Sequence, residues 1–478
     1  MNADTFPDLI GPIAEEPNTP SDLIARDLGT DLDASLRFAE ASAELLRYVP
    51  GIGWHVWDGK RWAPNHSSRA FEQAKYCARK WTKRCLETNG ENREKMVRGA
   101  LSLEGGSHIQ AVVKLAESDN RLVIPVSALD RSPWLFNVEN GTLDLHAGSL
   151  RPHCREDMLT KLAPVQYIAG AQHPMLDRFL AGLESRCSGM PAFLARCFGA
   201  CLTGDASPET LFLLQGEGGS GKTTLTEAAS AMLGDYSAKL QFESFCLSKH
   251  GRAPGAASPD LMKLRGARLA YASEGDASAR LDAGVVKTLT GNEPVCARAL
   301  YAEPITFPQT WKLWLVSNYD PRADSDDTGL WRRMLKLNFK EIPAAERDPA
   351  VKRVLTEDPT ARSALLSWSL AGCLDWQARG GGRIGLAAPA EVEAITADYR
   401  QRQDTLLEWW EDLTSSDATL DRNGFTPGPE VRRHYERWCE DNGARPVMVR
   451  RLAAYLESKG LLPKRTNTAR GWEGICFA

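Results

Sequence analysis

Apolar and polar positions change rhythm several times along the chain, and each change predicts a different element. Leu36, Phe38, Ala41, Leu45 and Leu46 recur at helical spacing. WHVWDGKRW, residues 54–62, then reads as a pair of strands turning at Asp58-Gly59, a two-residue hairpin signal. Lys- and Arg-rich helical stretches follow. LFNVENGTLDLHAGSLRPH, residues 135–153, predicts short strands joined at Asn140-Gly141 and Ala147-Gly148. Residues 174–202 have a helical pattern and lead into TGDASPE, whose small and polar residues suggest a linker. From Thr210 to about Phe339 the runs LFLL, RLAYAS, KLWLVS and RMLKLNF alternate with helical patterns, the signature of an α/β domain around a mainly parallel sheet. Residues 391–421 are helical and acidic. Pro429 sits well for a helix start and Asn442-Gly443 for its stop. A second helix, Val447 to Lys459, ends at Gly460, and LLPKRTNTARGWEGICF reads as two strands around a polar turn. Helix, helix, hairpin is the outline of a winged helix; a small lid or interaction domain has the same outline.

These patterns divide the chain into an acidic tail (1–35), an α+β region (36–202), an α/β core (203–345), a helical extension and linker (346–421) and a small C-terminal domain (422–478). A length of 478 residues suits two to four domains. Composition refines the picture only locally. The formal charge is -4, with 43% hydrophobic and 25% charged residues, as in an ordinary globular protein. Residues 57–100, however, carry eleven basic and five acidic residues, and residues 430–478 ten and six. The eleven cysteines are scattered without a C-x-x-C pair, which argues against a disulfide framework or a zinc site. Cys197 and Cys201, four apart on a helical pattern, read as packing. No long apolar run or signal-peptide pattern occurs, so the expected setting is the reducing cytoplasm, without a membrane partner.

The candidate chemistry begins at LFLLQGEGGSGKTTLTEAASAML. Gly216 to Thr223 fit G-x-x-x-x-G-K-[ST] between an apolar strand and a helix. In such a turn Gly216, Gly218, Gly219, Ser220 and Gly221 allow backbone N–H groups to face a phosphate. Lys222 reaches the β and γ phosphates, the Thr223 hydroxyl binds Mg²⁺, and Thr224 continues the helix start, whose partial positive charge favours the anion. ATP and Mg²⁺ are therefore the expected ligands. A phosphate loop also needs a carboxylate on a second strand to hold metal and polarise water. RLAYASEGD supplies Ser273 and Glu274 about fifty residues on. KLWLVSNYDP ends a third strand at Asn318, and TGLWRRM puts Arg332 and Arg333 at the start of a fourth.

Those elements, in that order, resemble the superfamily 3 helicases, and most closely the helicase part of phage and plasmid primase-helicases of the satellite-phage and poxvirus type. KTLTGNEPVCARALYAEPITF, RYVPGIGWHVWDGKRW and FNVENGTLDLHAGSLRPH also fit that family, and the resemblance covers about residues 30–345. It implies a multidomain α/β protein with an AAA+-like core that forms a hexameric ring, threads single-stranded DNA and unwinds forked duplex in a bacterial host cell. By position it makes Lys222, Glu274, Asn318 and Arg333 catalytic. Thr223 and Glu274 would hold the metal, and Arg333 would be a finger given to the neighbouring subunit, with Arg332 as the alternative. Ser273-Glu274 departs from the two acidic residues common in the wider superfamily. The family's pore hairpin falls at VCARAL and EPITF, so Lys287, Arg298, Leu300 and Tyr301 are expected near DNA, although an ordinary surface hairpin has the same pattern. Arg450, Arg451, Lys464, Arg465 and Arg470 are the expected phosphate contacts of the C-terminal domain. The tail leaves no room for a fused primase of the kind this family often carries, so a separate primase or initiator is an expected partner. An origin-binding initiator, or a P-loop ATPase that remodels protein or packages DNA, would share the same ATP-site residues.

Overall fold

The computed structural model describes residues 30–65, 68–89, 93–247, 259–273, 279–298, 304–415, 424–442, 444, 446–466 and 469–476. The described residues separate into two compact units, those up to 58 with 62–128 and residues 59–61 with those from 129 onward.

In the first unit, α1 (Asp31–Ser42) starts five residues before the expected helix, because the Thr30 hydroxyl caps it by accepting from the Asp33 N–H. Strands β1 (Leu46–Val49), β2 (Gly53–Trp57) and β3 (Trp62–Pro64) form an antiparallel sheet, with Trp57 opposite Trp62 across the expected hairpin. Helices α2 (Arg69–Glu87), α3 (Arg93–Ser102) and α4 (Gly106–Ala116) follow. Phe38, Leu46, Val56, Ala74, Ile109 and Val112 close a small core of their own.

The second unit opens with the antiparallel β4 (Leu135–Val138), β5 (Gly141–Asp144) and β6 (Ser149–Arg151), then α5 (Pro174–Arg186) and α6 (Met190–Leu202). The domain expected at 36–202 is thereby divided at 128/129, because Phe136, Val138, Leu143, Phe193 and Phe198 share one core with the large sheet that follows. That sheet is wholly parallel. It contains β7 (Leu211–Gln215), β8 (Ser237–Leu240), β9 (Leu269–Ser273), β12 (Lys312–Ser317) and β13 (Met334–Asn338) in the order β13-β7-β12-β9-β8. Its continuous apolar runs follow from burial on both faces. Phe212, Leu214, Trp314, Val316 and Leu337 enter one core, while Leu211, Leu213, Ala270, Leu313 and Leu315 enter the other.

Between these strands lie α7 (Lys222–Leu233), α8 (Pro259–Met262), α9 (Ala283–Thr290), the β10 (Val295–Ala297) and β11 (Ile305–Phe307) hairpin, and α10 (Thr328–Trp331). The helices α11 (Ala350–Glu357), α12 (Pro359–Ala378), α13 (Gly382–Leu386) and α14 (Ala390–Arg402) come next. Residues expected as a mere extension are therefore structural. α12 crosses α6 so closely that a Cβ on Gly199 would stand 2.2 Å from the Cys373 nitrogen. Cys197 and Cys201 are buried there, and burial pushes the Cys201 thiol up to about 11.

The last module begins at α15 (Thr405–Ser415), not at residue 422, because Leu406, Trp409 and Leu413 pack into its core with Val431, Tyr435 and Leu456. β14 (Phe425–Pro427), α16 (Gly428–Asp441), α17 (Val449–Ser458), β15 (Leu462–Arg465) and β16 (Arg470–Glu473) complete it, with strand order β14-β16-β15.

Candidate functional site

β7 aims the chain out of the carboxyl edge of the parallel sheet and α7 takes it back, with the glycine-rich turn between them. Gly216, Gly219 and Gly221 have φ of 155°, 83° and 94°. At Gly216 the requirement is also spatial, since a Cβ would lie 2.2 Å from the Phe339 carbonyl oxygen. The Ser220 hydroxyl closes the turn by donating to the Glu217 carbonyl at 2.9 Å. Lys222, the first residue of α7, is only 4% exposed. Its ammonium donates to the Glu217 carbonyl at 2.9 Å, to the Ser220 hydroxyl at 3.1 Å and to the Gly216 carbonyl. Burial lowers its pKa from the ordinary lysine value. A buried ammonium held by neutral oxygens, at a helix N-terminus, is suited to an arriving anion. Thr223 is exposed beside it, Gly218 is exposed, and Thr224 is half-buried.

Strand register brings Asn318 to the same edge. Ser317 pairs with Gln215, and Val316 with Ser273, so Asn318 emerges between the ends of β7 and β9. Asn318 is exposed and its carbonyl accepts from the Gln215 amide at 3.3 Å. The loop behind it is anchored by Asp320, which accepts from buried Lys336 on β13 at 2.6 Å. Glu274, next in the chain after Ser273, lies outside the described residues, as do Leu300 and Tyr301.

A cavity of about 660 Å³ adjoins the glycine turn. Gly219, Gly221 and Thr224 form one side, and Phe179, Ile342 and Val351 supply an apolar wall. Arg347 lies against Gly219, with its Nε donating to the Ile342 carbonyl at 2.8 Å and its Nη2 to Glu341 at 2.6 Å. Phe179 and Arg347 escaped the sequence reading. They come from α5 and from the segment after β13, so no local motif ties them to the turn.

The arginine pair separates. Arg333 is 9% exposed, donates to the Gly329 carbonyl at 3.0 Å and pairs with Glu209 at 3.1 Å. The residue expected to reach a neighbour is thus held inside its own chain, whereas Arg332 is exposed. The cause is local. Arg332 ends the short α10, while the Arg333 carbonyl already accepts from the Leu211 N–H at the entry to the sheet.

Other expected nucleic-acid contacts divide in the same way. Lys287 on α9 is tied to Asp327 at 2.7 Å, and Arg298 is exposed where β10 ends. Arg451 is half-buried and paired with Asp326 and with Asp404 at 3.0 Å, which ties the C-terminal module down. Lys464 pairs with Glu473. Arg450 is exposed, and Arg465 and Arg470 stand opposite each other on β15 and β16, both exposed.

This is a multidomain α/β protein whose parallel sheet collects a glycine-rich turn, a buried lysine and a strand-end asparagine at one edge. Residues 35–182 match the family described as D5 N terminal like, and residues 214–333 match a family of unknown function, DUF5906. The chain is 29% identical over 297 residues to "Putative helicase L207/L206" of Acanthamoeba polyphaga mimivirus, covering 59% of this chain and 30% of that protein. It is 24% identical over 367 residues to "Putative helicase 022R" of Frog virus 3, covering 60% and 37%. It is also 25% identical over 313 residues to "Putative primase C962R" of African swine fever virus, covering 62% and 32%. The chain spans about a third of the length of these relatives. Among solved structures, the apo C-terminal region of NrS-1 is 10% identical, with a TM-score of 0.44 over 77% of this chain and 89% of that one. The family matches and the viral relatives support a place for this chain in the phage and viral primase-helicase family. No helix among the described residues is long and apolar enough to cross a membrane.

Proposed function

We propose that the chain is an ATP-dependent DNA helicase that works as a ring, with a hexamer as the expected assembly, on single-stranded and forked DNA in the cytoplasm of a bacterial host. The observation that carries this reading is the polarity of the sheet. All five strands run the same way, so the glycine turn and Asn318 share the carboxyl edge while Arg332 leaves the opposite edge. A five-residue strand spans roughly 16 Å. Arg332 is therefore too far from its own glycine turn to assist there, and is available to the nucleotide of a neighbouring copy. We assign the finger to Arg332 because it is exposed, whereas Arg333 is held by Glu209 and braces the segment from within.

In this reading the backbone N–H groups of residues 218–223 and the Lys222 ammonium hold the β and γ phosphates of ATP. The 660 Å³ cavity takes the base and ribose. Arg347, already against Gly219, adds positive charge from the same subunit. Thr223 and Glu274 would hold Mg²⁺, which neutralises charge on the phosphate oxygens. Glu274 orients and deprotonates the attacking water, and Asn318 registers the γ phosphate. Asp327, at the start of α10, pairs with Lys287 on the helix before the β10–β11 hairpin. Helix, strand, two helices and a hairpin, in the sheet order β14-β16-β15, support reading the last module as a winged helix. Arg450, Arg465 and Arg470 are then its phosphate contacts. A separate primase or replication initiator is the expected protein partner. The deciding experiment measures ATP hydrolysis with and without single-stranded DNA, together with unwinding of a forked duplex. Folded protein that gains no hydrolysis from DNA and separates no strands refutes the reading.

A further inference from the structure

The first unit carries a groove remote in sequence from the glycine turn. It runs between α1 and α2, has a volume of about 900 Å³, and is floored by apolar residues including Phe38, Ala74, Ile109 and Val112. One wall is a cationic stripe on α2. Tyr76, Arg79, Lys80, Lys83 and Arg84 all line the groove, and Tyr76 is 59% exposed at its edge. Their spacing of three, four and seven residues puts them on neighbouring ridges of one helix face. Inside the groove the Arg37 guanidinium lies 4.0 Å from the centre of the Trp81 ring, presenting a flat stacked surface. Lys75 does not line the groove and is paired with Glu72, but no ion pair among the described residues involves Arg79, Lys80, Lys83 or Arg84. The acids on the lining do not cancel the stripe. Asp33 pairs with Arg37 at 3.2 Å, and Glu40 and Glu87 remain against four cations of the stripe.

We propose that this groove binds single-stranded nucleic acid, with its phosphates along Arg79, Lys80, Lys83 and Arg84 and a base stacked on Tyr76. The combination decides the ligand class. A row of cations alone suits any polyanion, but an exposed tyrosine beside an apolar floor rewards unstacked bases, which a duplex does not offer. From Tyr76 to Arg84 the stripe is about 12 Å long, room for more than one nucleotide. The proposal does not rest on the ATP site, because binding is read without ATP.

The test uses the full chain and an oligothymidylate containing 4-thiothymidine. Photo-crosslinking is mapped by peptide mass, and affinity is followed by fluorescence anisotropy across a salt series. The expected result is an adduct within residues 69–87 that disappears in Lys80→Gln/Lys83→Gln. That variant should also flatten the log–log salt dependence by about 1.4, at roughly 0.7 for each single-strand phosphate that is no longer neutralised. Tyr76→Ala should weaken the same adduct at least about fivefold, the low end for one stacked base. Lys75→Gln should leave it unchanged, and circular dichroism melting confirms that each variant is folded. Adducts confined to other segments, with affinity and salt slope unchanged in folded Lys80→Gln/Lys83→Gln, overturn the proposal and leave the groove to a protein segment.

Discussion

Replacing each of two adjacent arginines by alanine separates a structural role from a catalytic one. In Arg333→Ala the chain loses the bond to the Gly329 carbonyl and the pairing with Glu209, both made by a side chain 11% exposed. Hydrogen bonds from charged groups contribute about 1.5–3 kcal/mol. Glu209 is 35% exposed and can rehydrate, so the lower part of that range applies, about 2 kcal/mol. Arg332 is exposed, and its loss should change stability by less than about 0.5 kcal/mol. Hydrolysis should show the reverse order. Loss of a finger slows phosphoryl transfer by about 10³–10⁵, or roughly 4–7 kcal/mol of transition-state stabilisation. The assay pairs denaturant melts with steady-state ATP hydrolysis on single-stranded DNA, at concentrations where sedimentation verifies assembly. Arg332→Ala should melt like the parent and fail to hydrolyse, and mixing it with Lys222→Ala should restore part of the activity. If Arg332→Ala hydrolyses normally in verified assemblies, the assignment is wrong.

Three further outcomes follow from the same geometry. Lys222→Ala should abolish hydrolysis, whereas Glu274→Gln should retain ATP in filter binding without turning it over; rapid turnover by Glu274→Gln would remove that residue from the mechanism. Burial pushes Lys312 down from 10.5 to about 8 while its ammonium donates to the Thr203 carbonyl at 2.7 Å. Between those values the unfolded chain keeps a proton that the folded chain sheds, so stability should rise with pH through the window by up to roughly 3 kcal/mol and return to its lower level as pH falls back to 8. The rise should shrink in Lys312→Met, read by denaturant titration at several pH values; an identical pH dependence in parent and variant would contradict it. Arg451→Ala should loosen the C-terminal module without changing the salt slope of DNA binding, whereas Arg465→Ala/Arg470→Ala should lower that slope by about 1.4. An altered slope in Arg451→Ala would return that residue to the DNA contacts.

The glycine turn, the strand runs, the hairpin at 295–307 and the helix beginning at Gly428 were legible because each is a local pattern. Their glycines, apolar periods and helix-start proline act within a few residues. Contacts made over long separations were not. Phe179 and Arg347 reach the turn at Gly219 and Gly221 only after α5 and the post-β13 segment have packed beside it. The break at 128/129 and the start of the last module at Thr405 likewise depend on which core each helix joins.

By itself, then, the sequence determined the order of elements and the residue types at the ends of the strands. Those follow from local backbone preference and the alternation of apolar side chains. The tertiary structure decided which of these residues meet and which are already engaged. Parallel pairing carries Gly216 and Asn318 to one edge and Arg332 to the other, burial commits Arg333 to Glu209, and packing of the last module pairs Arg451 with Asp404. Two neighbouring arginines look alike in a string of letters. Only packing puts one guanidinium inside, where it must find a partner, and leaves the other at the surface.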